Sequence, residues 1–118
     1  MTELAPSDFA VPEYLEIRRT GDGDGLAMLT LHGELDLGSA PSLEQALSDF
    51  QGPAACQRLV IDLGNLRFMD STGLALMVRA EQTAQDHGYQ LVFRPGSHQV
   101  QRLLELTGVI DRLEFEQP

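Results

Sequence analysis

A chain of 118 residues, 42% of them apolar, is long enough to bury a core of its own and sets the expectation of a single domain. Eighteen acidic against eight basic residues leave a formal charge of −10, which argues against nucleic acid and against an anionic membrane surface as direct partners and favours a basic protein partner. All eight basic residues are arginine, so lysine-based phosphate loops, Schiff bases and lysine general bases are excluded, and the lone Cys56 permits no intrachain disulfide.

Residues 1–12 read as a polar arm with Pro6 and Pro12, and residues 13–118 as the domain. Glu3 and Asp8 stand where a secretory leader would be basic, and no apolar run approaches the ~18 residues that cross a bilayer, so a cytoplasmic location is expected. Alternation over Tyr14, Leu15, Glu16, Ile17 and Arg18 predicts a first, edge-like strand. The Gly21–Gly25 run marks a turn, and Leu26 to His32 predicts a second strand with Leu29 and Leu31 on one face, closing a hairpin. Gly33 to Gly38 reads as a loop.

Ser39 or Ala40 opens the first helix, with Pro41 in a first turn that needs no proline N–H. Leu43, Ala46, Leu47 and Phe50 share one face, and Gln51-Gly52-Pro53 ends the helix. Arg58 to Leu63, holding Leu59-Val60-Ile61, reads as a central strand covered on both faces. Gly64 to Asp70 is expected to be a loop. A second helix opens at Ser71, with Gly73, Leu76, Met77, Ala80 and Ala84 as its apolar stripe and Gly88 as its stop. Leu91-Val92-Phe93 is expected to be another central strand. After Arg94-Pro95-Gly96, Ser97 caps a third helix with Val100, Leu103, Leu104 and Thr107 on one face and Gly108 at its end. Leu113 to Phe115 is expected to be a last short strand. The order ββαβαβαβ implies parallel crossovers and an α/β layer fold.

The most informative segment is Leu59 to Leu76, read as a buried strand, a loop, and then a helix starting at Asp70-Ser71-Thr72-Gly73. It places Ser71 and Thr72 over unpaired amides and the positive end of a helix dipole, at the carboxyl edge of a sheet where α/β proteins site function. A phosphate there would add about −1.5 to −2 charges beside Asp70. Asp and Ser at a helix start are also ordinary caps, and Ser71 is expected to keep a capping role, so alanine in its place is expected to cost about 1 kcal/mol.

Three spaced motifs in order carry a resemblance: Gly33-Glu34-Leu35-Asp36 after the second strand, the Phe68–Leu74 segment, and Pro95, Val100, Arg102-Leu103-Leu104 and Thr107-Gly108 along the last helix. From about Tyr14 to Phe115 the chain resembles the STAS family, and more narrowly its stand-alone bacterial anti-sigma factor antagonists. The resemblance implies a four- to five-stranded mixed sheet with helices mainly on one side. It implies that Ser71 accepts a phosphate from a serine-kinase-type anti-sigma factor, that the unphosphorylated form binds this factor and releases the sigma factor, and that a PP2C-type serine phosphatase restores it. Asp36, Ser39, Asp70, Ser71, Thr72 and Gly73 are the expected partner-binding residues. The expected unit is a monomer without enzymatic activity. No cofactor or metal is expected, and direct nucleotide binding is left open. Two departures are the arm before Tyr14 and an end at Glu116-Gln117-Pro118, where family members commonly continue into a helix; one sheet flank is therefore expected to be less covered, or covered by a partner.

Other readings are weaker. Asp36 could equally satisfy loop amides, and Asp62 could simply orient the neighbouring loop. The Gly21–Gly25 run lacks both the Lys-Ser/Thr of a phosphate loop and the register of an EF-hand. His32, His87 and His98 have no metal-ligand spacing. A serine hydrolase would want a Gly-x-Ser-x-Gly elbow, which Ser71 lacks. The alternative function is a STAS accessory or scaffold module of a transporter or stress-signalling complex.

Overall fold

The computed structural model describes residues 15–21, 25–50 and 57–116. The expected arm, the tip of the Gly21–Gly25 turn, the Gln51–Pro53 helix stop and Cys56 lie outside these residues. The described elements are β1 (Leu15–Gly21), β2 (Leu26–Leu35), α1 (Ala40–Ser48), β3 (Arg58–Met69), α2 (Ser71–His87), β4 (Gln90–Arg94) and α3 (His98–Leu106), followed by a 3₁₀ turn at Val109–Arg112. The sheet runs in the order β1-β2-β3-β4. β1 is antiparallel to β2, and β2, β3 and β4 are parallel.

Strand alternation explains the layering. Ala27, Leu29, Leu31 and Leu35 of β2, Leu59, Ile61 and Leu63 of β3, and Leu91 and Phe93 of β4 enter one core with the apolar stripes of all three helices. The helices therefore cover one face. On the other face, buried Val60 and Val92 are flanked along their strands by Arg58, Asp62 and Arg94, which ion-pair with Glu116 or with each other. At the sheet margin the guanidinium of Arg19 lies 4.5 Å from the ring centroid of fully buried Phe50 and pairs with Asp49 at 3.2 Å. Phe50 thus joins the core although α1 ends two residues earlier.

Three expectations change here. β2 runs on through Gly33-Glu34-Leu35, and β3 continues from Gly64 to Met69, where loops were expected. In β3 the cause is two bulges: the register with β2 slips between Thr30 and His32 and again between Gly33 and Glu34. Each slip adds a residue to β3, so its buried positions fall three apart at Leu63, Leu66 and Met69 and the alternation is lost from view. Gly33 takes φ 115° beside this irregularity, a region closed to most side chains. Secondly, β4 is an edge strand rather than a central one. Its outer edge meets only an isolated bridge, Phe93 to Phe115, in place of a full last strand, with the Phe93 amide donating to Glu114 O (2.8 Å) and the Glu116 amide to Phe93 O (2.9 Å). Thirdly, Thr107 is exposed, its hydroxyl donating back to Leu103 O at 2.8 Å, and Gly108, at φ 78°, stands one residue past the cap. Gly88 stops α2 in the left-handed conformation, as expected.

Among the described residues, Glu81 of α2 is the one whose side chain leaves a buried polar atom unpartnered. Its Oε2 is buried without a hydrogen-bond partner. Desolvation raises its pKa; the Gln85 side chain opposes this, and nearby Glu114 adds to it. A carboxyl whose folded pKa lies above its unfolded value favours folding when protonated, and that contribution is lost as pH rises through the folded pKa. Glu81→Gln should therefore be more stable than the parent at pH 7, with the advantage vanishing at a pH below the ordinary carboxylate range. Urea midpoints measured at both pH values test this; an advantage that does not shrink on acidification would show that ionisation of Glu81 is not its source.

Candidate functional site

The candidate residues gather where β2 and β3 end side by side. Leu35 and Met69 are register partners, and the Asp70 amide donates to Leu35 O at 3.1 Å. Asp36 and Ser71 therefore emerge from adjoining strand ends.

On the β2 side the chain closes a tight ring. The Ser39 hydroxyl donates to Glu34 O (2.8 Å) and accepts from the Asp36 amide (3.0 Å), while the Ser39 amide donates to Asp36 Oδ1 (3.0 Å). The Ala40 amide donates to Asp36 O at 2.8 Å, which starts α1. Ser39 is only 2% exposed, so it braces the loop from within, whereas Leu37 at the tip is 74% exposed. Asp36 is half-buried, with one oxygen spent on the ring.

On the β3 side Asp70, in extended conformation, is the N-cap of α2. Its Oδ1 accepts from the Thr72 amide (2.9 Å) and the Gly73 amide (3.2 Å). The capping role expected of Ser71 belongs to Asp70. Ser71 is the first helical residue, exposed, and its hydroxyl makes no hydrogen bond to another described residue. Thr72 is half-buried beside it. Gly73 is buried, and a Cβ there would stand 2.6 Å from Met69 Cγ and 3.0 Å from Leu35 Cγ. Only glycine lets the first turn of α2 sit directly on the two strand ends.

The arrangement offers a presented hydroxyl rather than a nucleophile. No imidazole bonds to Ser71, and the nearest acid is committed to two backbone amides. Among the described residues no three His, Cys, Asp or Glu side chains form a metal set, and no helix is long and apolar enough to cross a membrane. Asp62 accepts from the Gly64 amide at 2.8 Å, bracing the first bulge of β3 rather than a loop. Sequence reasoning missed two neighbours of the site. One is an open groove of about 980 Å³ lined by Glu16, His32, Arg67 and His98. The other is the exposed pair Phe68 and Leu106. The first needed the bulged pairing of β3, which the sequence pattern concealed; the second was signalled by a phenylalanine beside the Asp-Ser-Thr-Gly motif.

Alanine substitutions should separate these roles. Asp70→Ala is expected to lose about 0.5–2 kcal/mol of stability with its cap, and Gly73→Ala about 1–3 kcal/mol through overpacking. Ser71→Ala should stay within about 0.5 kcal/mol of the parent, because no cap is removed. Denaturant unfolding of the three variants decides it, and a Ser71→Ala loss as large as that of Asp70→Ala would contradict the capping assignment.

Comparison with known proteins agrees with this geometry. The family model described as STAS domain matches residues 15–117. A protein of Listeria monocytogenes named anti-sigma-B factor antagonist is 36% identical over 84 residues, 71% of this chain and 73% of that protein. The Staphylococcus aureus protein of the same name is 31% identical over 85 residues, 72% of this chain and 78% of its own length. The crystal structure of an anti-sigma factor antagonist from Mycobacterium paratuberculosis superposes with a TM-score of 0.72 at 27% identity, covering 92% of this chain and 90% of that one. From the sheet order to the Asp-Ser-Thr-Gly helix start, the chain belongs to the STAS domain family.

Proposed function

We propose that this protein is an anti-sigma factor antagonist: it binds a serine-kinase-type anti-sigma factor, releases the sigma factor, and is switched off by phosphorylation of Ser71. The observation that carries this reading is the state of Ser71, an exposed hydroxyl at the first position of a 17-residue helix, with the cap supplied by its neighbour. Relatives named anti-sigma-B factor antagonist, at 31–36% identity, support it.

The physical switch is electrostatic. The partner surface covers Ser71, Thr72, the exposed Leu37 and the outer side of Asp36; Ser39 and Gly73 hold that surface in shape from beneath. A phosphate at Ser71 places about two negative charges beside Asp70 and within reach of the Asp36 loop. Burying that dianion in an interface costs desolvation and like-charge repulsion. A loss of about 1.4 kcal/mol weakens binding tenfold, so a few kcal/mol changes the partner without refolding. A PP2C-type serine phosphatase reverses the step in this reading. The protein acts by binding, as a monomer in the cytoplasm, and needs no cofactor.

Incubation with ATP and a kinase-type anti-sigma factor, followed by peptide mass spectrometry, should find one phosphate on Ser71 and none in Ser71→Ala. Ser71→Asp should bind that factor at least about tenfold more weakly at unchanged thermal stability, since an acid is welcome at a helix N-terminus. Undiminished binding by Ser71→Asp and by the phosphorylated protein would remove the electrostatic switch.

A further inference from the structure

Leu37, Phe68, Leu106 and Leu26 are the large apolar side chains most exposed among the described residues. Two of them share one place. Phe68, at 40% exposure, and Leu106, at 71%, line a groove of about 270 Å³ between the end of β3 and α3, together with Met69, Val100, Arg102 and Leu103. Single exposed leucines are ordinary, but an exposed phenylalanine and leucine converging on one groove mark a contact surface.

The charges around this groove run against those of the molecule. Arg18, Arg19, Arg58, Arg79 and Arg94 are each ion-paired. Among the described residues Arg67, Arg102 and Arg112 form no ion pair, although the chain carries eighteen acidic residues. Arg102 lines the groove, and Arg67 precedes Phe68 in β3. Gln99 borders both this groove and the larger one that Arg67 lines, so the two grooves adjoin at the start of α3. A protein of charge −10 thus keeps one guanidinium in the lining of an apolar groove and a second in the adjoining one, neither of them ion-paired among the described residues. The groove is continuous with the switch: Met69 in its lining is the residue against which Gly73 packs, two positions before Ser71.

We propose that this groove receives an acidic segment of the anti-sigma factor, with an apolar side chain entering between Phe68 and Leu106 and carboxylates meeting Arg102 and Arg67. The inference rests on the phospho-switched reading above and names the chemistry of the partner it requires. Arginine suits the task because its planar fork engages carboxylates bidentately and tolerates partial desolvation. The expectation from net charge, a basic partner, is inverted at this patch. The groove lies beside the phosphoacceptor rather than on it, so it anchors the complex without touching the transferred phosphate.

The test is steady-state phosphorylation of the full chain by the kinase-type anti-sigma factor, with Leu106→Asp, Arg102→Glu and, as a control at a distant exposed leucine, Leu26→Asp. Both groove variants should raise KM for the antagonist about tenfold or more with kcat within about twofold, and Leu26→Asp should leave KM unchanged. Raising salt should erode wild-type affinity and shrink the Arg102→Glu defect while leaving most of the Leu106→Asp defect. Because the substituted side chains are exposed, thermal midpoints should stay at the parent value. Normal KM values for both groove variants, with Ser71 still phosphorylated, would overturn the proposal and leave the switch standing. A wild-type protein that an active kinase does not phosphorylate removes both readings together. If deleting residues 1–12 abolishes the Leu106→Asp defect, the groove holds the chain's own arm and the partner assignment is wrong.

Discussion

The first turn of α2, bare of a side chain at Gly73, rests on the Leu35 and Met69 side chains at the ends of β2 and β3, and the geometry of the site follows from that contact. A methyl group at Gly73 would lie 2.6 Å from Met69 Cγ, well inside any real carbon–carbon contact. The Asp70 amide is bonded to Leu35 O, and the Asp70 carboxylate holds the next two free amides of the helix. A steric stop, a strand-to-strand hydrogen bond and a cap thus fix the direction and the rotation of the same turn. Neither sliding nor rotation of α2 is available without breaking at least one of them. Ser71 is consequently presented in a single orientation, which a protein partner can read without reordering the chain.

The same constraint divides labour among residues that look alike in sequence. Two serines were candidates for the partner surface. Ser39 is buried and spends its hydroxyl on Glu34 O and the Asp36 amide, while Ser71 is exposed and its hydroxyl is unbonded among the described residues. Two aspartates were candidates as well. Asp70 is consumed by capping, whereas Asp36 spends one oxygen on its loop and retains an exposed side. Rigid members thereby frame free ones on both strand ends. Preorganisation of this kind is what lets a small interface discriminate between a hydroxyl and a phosphate, since neither side can relax to accommodate the extra charge.

Much of this was legible in the chain. The helices announced themselves through period-3.6 stripes, and Pro41, Gly88 and Ser97 marked their limits because each is tied to a backbone requirement that few other residues meet. Where period two broke, legibility failed. The bulges that lengthen β3 shift Leu66 and Met69 out of alternation, so a strand resembles a polar loop; only the pairing with β2 reveals it. β2 was misjudged for a smaller reason. Its alternation through Leu31 to Leu35 is intact, and the loop was read from Gly33 onward, a glycine at φ 115° that stands within the strand beside the bulges of β3. The identity of the cap was likewise invisible. Asp70 and Ser71 both suit that position, and one residue of register decides between them. The unpaired arginines could not be read at all, because ion pairing among Arg58, Arg94 and Glu116 depends on strand neighbours far apart in sequence.

These placements bear on how a phosphate would act. At the N-terminus of a 17-residue helix a dianion is stabilised by about 0.3–1 kcal/mol, and repulsion from the Asp70 carboxylate opposes this by a similar amount at a solvated surface. The net effect on folding is therefore small, and a switch based on local unfolding is disfavoured. The discrimination has to arise in the complex, where water is removed and the same charges interact more strongly. If the segment bound in the neighbouring groove is acidic, the phosphate acts a second time, lowering the positive potential that Arg102 and Arg67 present to it. One modification would then weaken both the contact that buries Ser71 and the contact that anchors the partner beside it, and a modest change at each would multiply into loss of the complex.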